Sequence, residues 1–493
     1  MKLKQIAMVV AGLSSSAISF AAPVTVAEID AANTASTLQQ AWITGASAPT
    51  QTIYEGWVRG CDVDTNTIFS TQSGTSNLRP GTIGNFSAYA CKRGGKVSVL
   101  YHTLDGGSLN AFTPQTVNTV LARIKYVGTG NGCTASATYT DNANSNNNAL
   151  VYKGCALVGR ALSGPGGTAS SADNAFNQTA LSSDTLGPQR PVGGYSDVEA
   201  ALFPANIGGG NVSSKGTETE VGVGQVFGVA VSRPLYRALQ TAQGLADDDD
   251  VTFDPVNAPN INSSQYASLI AANGTTTWDV LLPGNTAKVI LARRAETSGT
   301  QASSNAFFLK NPCASGVNQA TQPSDASNSV SGSYEVTLHS GSGNVKTALT
   351  NASNAANAAD QFAIGVLSVE NNWRTDSSSS NGYRYLKLDG VHPEADDVAS
   401  GRKAAARGEY KFHIELRQFI RADGQHPKTA FEASVLNEIT AQLKTPPANS
   451  CTTFPRGLTL NPGNGSACTY GVEIAKMTNF GSNCATPIEF PAQ

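Results

Sequence analysis

The chain has 493 residues, with 33 Lys+Arg against 36 Asp+Glu, a formal net charge of −3 at pH 7 and only 14% charged residues. So sparse and balanced a charge excludes a strongly basic nucleic-acid binder, which needs a concentrated cationic footprint, and the 40% hydrophobic share excludes a highly charged disordered chain. The length exceeds one typical core and suits two domains with insertions, while 48 glycines among abundant Asn, Ser and Thr predict many turns.

In chain order, Lys2 and Lys4 precede an apolar stretch from Ile6 to Leu13 and a small, polar stretch from Ser14 to Ala22. This reads as a secretory signal over 1–21 with cleavage after Ala21. The apolar stretch is too short to cross a hydrocarbon core of ~30 Å. Gln40 to Thr44 is expected as a strand, a small-residue turn follows, and Pro49 to Val58 reads as a helix with Ile53, Tyr54 and Trp57 at helical spacing. Lys96 to Tyr101 predicts a strand, and Pro114 to Tyr126 a helix. Residues 127–190 read as an insertion containing the Asn-rich run Asn142 to Asn148. Beyond it, strands are expected over Gly222 to Val231, Lys288 to Arg293, Gln361 to Val369, Arg384 to Leu388 and Glu409 to Ile420. Helices are expected over Pro234 to Leu245, Gln301 to Leu309, 346–361 and 430–443, with a loop at Ser377 to Ser380. Strands alternating with helices place the chain in the α/β class.

Eight cysteines lie at 61, 91, 133, 155, 313, 451, 468 and 484. An even count behind a signal argues for disulfides. No CxxC is present and the five histidines are scattered, so zinc is not expected. Proximity favours Cys61–Cys91 and Cys133–Cys155, and Cys468–Cys484 with Cys313–Cys451 would complete the set.

Three segments share a layout of apolar strand, turn of Gly and hydroxyl residues, then helix: Trp42 to Trp57, Val97 to Phe112 and Val289 to Phe308. A helix N-terminus exposes unpaired N–H groups and about half a positive charge. Small residues let an anion approach, and hydroxyls add donors. The third segment, Arg293 to Thr300, adds a guanidinium at Arg294 just ahead of Ser298, Gly299 and Thr300. Alone, Ser-Gly-Thr reads equally well as a helix cap, and Asp197 as the cap of a helix beginning near Val198. No GxSxG, HExxH or Cys/His nucleophile pattern is present, so neither an enzyme nor a cofactor is expected. Gly222-Val223-Gly224 is not a nucleotide fingerprint. Asp247 to Asp250 reads as a solvated turn, Asp389 and Glu394 as structural carboxylates, and Tyr54, Trp57 and Tyr101 as core.

Several of these elements together resemble the phosphate-binding proteins of bacterial uptake systems, members of the type 2 periplasmic solute-binding fold. The resemblance rests on the turn Thr44 to Thr50, the Tyr-led strand and turn Tyr101 to Ser108, Ser196-Asp197 before Ala200 to Leu202, and Arg293 to Thr300. Ala363-Ile364-Gly365 and Lys387 to Val391 also match, in order, along about 40–420. It implies an α/β, two-domain fold with a hinged cleft. The ligand would be inorganic phosphate or a similar oxyanion, held by Ala48, Thr50, Ser108, Asp197, Arg294, Ser298, Gly299 and Thr300. A membrane transporter is the implied partner, and the location periplasmic or secreted. Domain I is expected over 22–220 and 385–445, domain II over 221–384, and a cysteine-bearing tail over 446–493. The chain would cross between domains near Gly222 to Val231 and Arg384 to Val391. A rival expectation, suggested by the insertion and tail, is a secreted surface or matrix protein that keeps the fold without transport.

Overall fold

The computed structural model describes residues 22–70, 85–117, 119, 121–129, 134–139, 150–154, 157–158, 184, 186–247, 254–272, 274, 277–285, 287–322, 329–330, 334–376, 382–395, 398–424, 427–445, 455–463 and 474–490. The signal segment 1–21, Asn142 to Asn148, Asp248 to Asp250, Ser377 to Ser380 and Cys133, Cys155, Cys451 and Cys468 lie outside them.

Among the described residues, fifteen strands join in one sheet. In chain order they are β1 (Gln39–Gly45), β2 (Thr67–Ser70), β3 (Phe86–Arg93), β4 (Lys96–Thr103), β5 (Thr134–Tyr139), β6 (Leu150–Gly154), β7 (Gly193–Ser196), β8 (Gly216–Ser232), β9 (Val289–Arg294), β10 (Ser329–Val330), β11 (Tyr334–His339), β12 (Ala363–Ser368), β13 (Tyr383–Tyr385), β14 (His413–Arg421) and β15 (Leu458–Leu460). Their order is β10-β11-β9-β12-β8-β14-β7-β1-β4-β3-β2-β6-β5, with β13 and β15 also paired to β8. Helices of eight or more described residues are α1 (Val26–Thr34), α2 (Thr50–Arg59), α3 (Arg233–Ala242), α4 (Ser263–Ile270), α5 (Gly299–Leu309), α6 (Ser342–Ser353) and α7 (Ala430–Lys444). Reciprocal Thr/Glu or Asn/Gln capping boxes start α1, α4 and α7 and satisfy N–H groups that a helix start leaves unpaired.

The 17-residue β8 divides the sheet. Its residues up to Val226 pair with β14, and from Phe227 to Val231 they pair with β12. The change of partner therefore falls inside the segment Gly222 to Val231. Lys387 and Leu388 still pair within the second half, with Asn260 and Ile261, and the chain rejoins the first half at β14. Parallel pairs sit on either side of this spine: β1 with β4 and β7 in the first half, β9 with β11 and β12 in the second. Parallel strands covered on both faces need continuous apolar runs, and Ala41, Trp42, Ile43, Val289, Leu291 and Ala292 are all buried. The mixed α/β class is as expected, and one long strand joins the two halves of the sheet.

An apolar cluster runs across the boundary. Phe412, just ahead of β14, meets Phe227 of the spine and Phe307 and Phe308 of α5, with ring centroids 5.5, 4.7 and 5.0 Å apart. Each fully buried side chain of this size contributes about 1.5–3 kcal/mol. A second cluster seats α7 on α2, where Trp57 packs edge-on to Phe431. Among the described residues, no helix is long and apolar enough to cross a membrane.

Three expectations are corrected. Pro114 to Tyr126 is not a helix: one helical turn covers Thr113–Thr116, and Arg123–Ile124 is a strand paired with Leu157–Val158. The buried Arg123 guanidinium, bonded to Asp184 at 2.9 Å and to the carbonyls of Pro188 and Ile124, fixes the extended backbone against the helical spacing. The helix expected over 346–361 instead spans Ser342–Ser353. Beyond it the Asn354 side chain bonds back to the Thr350 carbonyl and Asn357 caps a separate short turn, so side-chain bonds replace the ladder. Finally, Cys61–Cys91 forms as expected, but Cys313 bonds Cys484 across 171 residues, so neither Cys468–Cys484 nor Cys313–Cys451 forms. The tail folds back onto the first half through Asn483, and spatial proximity replaces sequence proximity. Peptide mapping under non-reducing conditions should recover Cys313 linked to Cys484; a Cys313–Cys451 peptide would contradict this chain path.

Candidate functional site

The turns that end β1, β4 and β7 lie at one edge of the first half, because those strands run parallel. The turn that ends β9 approaches them from the second half: the Leu109 N–H donates to the Thr297 carbonyl at 3.0 Å across the boundary. Strand ends of parallel sheets, with helices starting just beyond them, are where α/β proteins gather ligands.

Asp197 follows β7 and is buried. Its Oδ2 accepts from the Ser108 hydroxyl at 3.2 Å, and Thr300 also hydrogen-bonds to it. Its Oδ1 has no hydrogen-bond partner. Burial pushes the carboxyl up to about 6, against the opposing pull of the Arg294 charge and the two hydroxyls. Asp197 does not cap a helix from Val198, since the Val198 N–H bonds the Ser196 hydroxyl and only a short 3-10 turn follows at Ala200–Leu202.

Gly299 begins α5 against this carboxylate. A Cβ placed on it would lie 2.4 Å from Ser108 Oγ and 2.6 Å from Asp197 Oδ2, closer than real Cβ contacts. Gly107, at φ +84°, is pressed in the same way: a Cβ there would meet the Thr297 carbonyl at 3.0 Å and Ser298 Cα at 3.1 Å. Gly107 therefore has a steric reason, and Gly106 sits at φ +82°, a conformation that favours glycine. Ser298 stands at the cap position of α5, but its side chain makes no capping bond.

Arg294 ends β9 and is buried. Its Nε donates to the His339 carbonyl at 3.2 Å, one Nη to the Ser342 hydroxyl at 3.0 Å and the other to the Ser340 carbonyl at 2.8 Å. These bonds use three of five N–H donors and fix the plane of the guanidinium. Burial lowers its pKa to about 10, with the Asp197 charge opposing, so it remains cationic at neutral pH. The Arg294 backbone N–H donates to Gln301 Oε1 at 3.2 Å, which ties the strand end to α5.

Of the residues expected from sequence, Ser108, Asp197, Gly299 and Thr300 meet directly, Arg294 couples to Asp197 electrostatically, and Ser298 adjoins them in the chain. Ala48 and Thr50 are buried on the turn after β1, which the Ala46 N–H joins to the Tyr195 carbonyl at 2.8 Å, but neither bonds the Asp197 cluster. The Thr50 hydroxyl instead donates to the Ser47 carbonyl at 2.7 Å. Sequence reasoning missed the support of Arg294. Its signal was available: Tyr334 to Ser353 is a fourth instance of strand, Ser-Gly-Ser turn and helix. The cluster is packed shut, and the cavity of about 10 Å³ behind it, lined by Arg294, Thr300, Gln301 and Ser304, holds no more than one water. No group of three or more His, Cys, Asp or Glu among the described residues is placed to hold a metal.

No protein-family model matches the chain, and no curated protein does. Among solved structures it is similar to a "Putative Phosphate ABC Transporter Substrate-Binding Protein with Bound Phosphate" from Clostridium perfringens, at 12% identity, covering 82% of this chain and 96% of that one, with a TM-score of 0.34. It is also similar to a "possible phosphate binding protein" from Planctomyces limnophilus, at 13% identity over 51% and 72% of the two chains, with a TM-score of 0.29.

Two outcomes follow from the packing and the charge. Gly299→Ala forces a methyl between Ser108 and Asp197 and is expected to cost about 1–3 kcal/mol in chemical denaturation; unchanged stability would contradict the close approach. A carboxyl raised from 3.8 to about 6 binds its proton more tightly in the folded state. Its stabilising contribution is therefore present at low pH and declines as pH rises across that window, by about 3 kcal/mol at most. The stability difference between wild type and Asp197→Asn should shift in the variant's favour between pH 4 and 6; a flat difference would contradict the buried carboxyl.

Proposed function

We propose that this chain is an exported solute-binding protein that captures an oxyanion, inorganic phosphate, between the two halves of its sheet. One observation carries the reading: a buried Asp197 carboxylate from one half, with Oδ1 unpartnered, faces the N-terminus of α5 and the charge of Arg294 from the other. Phosphate near neutral pH keeps at least one proton, and a carboxylate can only accept. Asp197 Oδ1 would take that proton's hydrogen bond. The free Arg294 donors and the first N–H groups of α5 would bind the charged oxygens. Sulfate has no proton to offer, so its oxygens would oppose the carboxylate in a poorly hydrated site.

Because Gly299 closes directly onto Ser108 and Asp197, an anion enters only when the halves part. In this proposal 22–220 with 385–445 and 221–384 act as two domains that hinge about β8, and Ala48 and Thr50 join the ligand from the turn after β1. A membrane transporter would receive the anion from the periplasm, or the protein would act outside the cell. The same shut packing favours a second reading, a secreted surface or matrix protein that keeps the fold and has lost the ligand.

Competition binding separates them. Arg294→Ala removes a charge-assisted pair and should weaken phosphate by about 30-fold or more, from a cost of about 2–5 kcal/mol. Asp197→Asn should narrow the gap between phosphate and sulfate. Wild-type-like binding by Arg294→Ala would overturn the site, and absence of binding to wild type would favour the second reading.

A further inference from the structure

The C-terminal segment crosses the boundary beside the site. Its residues dock on the first half through Glu415 of β14: the Thr478 hydroxyl and the Asn479 N–H donate to Oε1 at 2.5 and 3.0 Å, and the Gly481 N–H to Oε2 at 2.5 Å. Asn483 then docks on Glu199, two residues beyond Asp197, through its backbone N–H at 2.9 Å and its side-chain amide at 2.6 Å. The next residue, Cys484, is bonded to Cys313. Cys313 belongs to the second half: the loop that carries it is anchored to the end of α4 by hydrogen bonds of Ala272 to Gln319 and of Thr321 to Ile270.

A single peptide unit therefore separates the residue held by one half from the residue held by the other. Consecutive Cα atoms are 3.8 Å apart, so the connection has no slack. Separation of the halves at this point requires that Asn483 leave Glu199 or that the disulfide open. The two described disulfides differ in access. Cys61 and Cys91 are buried, whereas Cys484 is exposed and Cys313 half-buried at the rim of a groove of about 840 Å³. Exposed disulfides are the ones open to exchange.

We propose that Met477–Cys484 is a covalent strap across the boundary, which holds the halves closed while Cys313–Cys484 is intact and lets them part when a dithiol reduces it. A thiolate of the dithiol attacks one sulfur to form a mixed disulfide, and its second thiol displaces the protein thiol. The dithiol is oxidised to its disulfide, and two electrons and two protons pass to Cys313 and Cys484. The inference rests on the two halves moving apart, as in the proposed function, but not on phosphate as the ligand.

Hydrogen exchange of the full chain without any added anion tests it. The reporters are peptides over 105–112 and 297–304, which hold the Leu109–Thr297 bond across the boundary; the controls cover β1 and β4. In Cys313→Ser/Cys484→Ser, the reporters should exchange about tenfold faster with the controls unchanged. Brief dithiothreitol treatment of folded wild type should do the same while Cys61–Cys91 survives in the peptide map, and it supplies the result if the double variant does not fold. Unchanged reporters in the reduced protein would overturn the strap, and so would equal acceleration of reporters and controls, which marks a general staple. Because no anion is added, failure here is distinct from failure of phosphate binding.

Discussion

A carboxylate buried against the start of a helix from the opposite half of the sheet is the interaction on which the other features of the site depend. Asp197 can be held there only because Gly299 presents no side chain, Gly107 lets the facing turn close, and Ser108 and Thr300 turn hydroxyls toward it. Burial works against its charge, and the Arg294 guanidinium works for it. Arg294, at the end of β9, is in turn fixed by the end of β11 and the turn after it, so one buried cation is positioned by two strand ends of the second half. An unpartnered Oδ1 in such a place is costly unless a donor reaches it, and in the proposed function that donor is a protonated ligand.

The larger architecture sets how the two sides meet. β8 belongs to both halves and supplies continuity, while the Phe227–Phe412–Phe307 stack covers the boundary beside it. The Leu109–Thr297 hydrogen bond adds only about 0.5–1.5 kcal/mol to closure. Opening of the kind proposed would therefore be governed by apolar packing and by the strap more than by polar contacts at the site. Placing the Asn483–Glu199 bonds two residues from Asp197 couples the tail to the turn that carries Asp197.

Much of this was legible in the sequence where local pattern and tertiary demand agree. The strands at β1, β4, β8, β9, β12 and β14 and the helices α2, α3, α5 and α7 follow from continuous apolar runs or helical spacing, and the Arg294 to Thr300 element from its strand–turn–helix layout. Reading failed where a distant residue decided the outcome. Arg123 is drawn into an extended strand by Asp184, 61 residues away, despite apolar spacing that suits a helix. Cys313 finds Cys484 because Glu199 and Glu415 dock the tail, and no spacing rule encodes that docking. Thr50 entered the candidate site through the resemblance alone, and in this structure its hydroxyl donates to the Ser47 carbonyl. Asp197 also read as a cap, and the Val198 N–H bond to the Ser196 hydroxyl together with its own contact with Ser108 separates the two roles.

Titration calorimetry of the purified protein with phosphate and with sulfate, near neutral pH, tests the central claim most directly. A buried carboxylate that needs a donor, opposed by one fixed guanidinium, predicts saturable one-site binding of phosphate and much weaker binding of sulfate. Equal binding of both anions, or none of either, would contradict it.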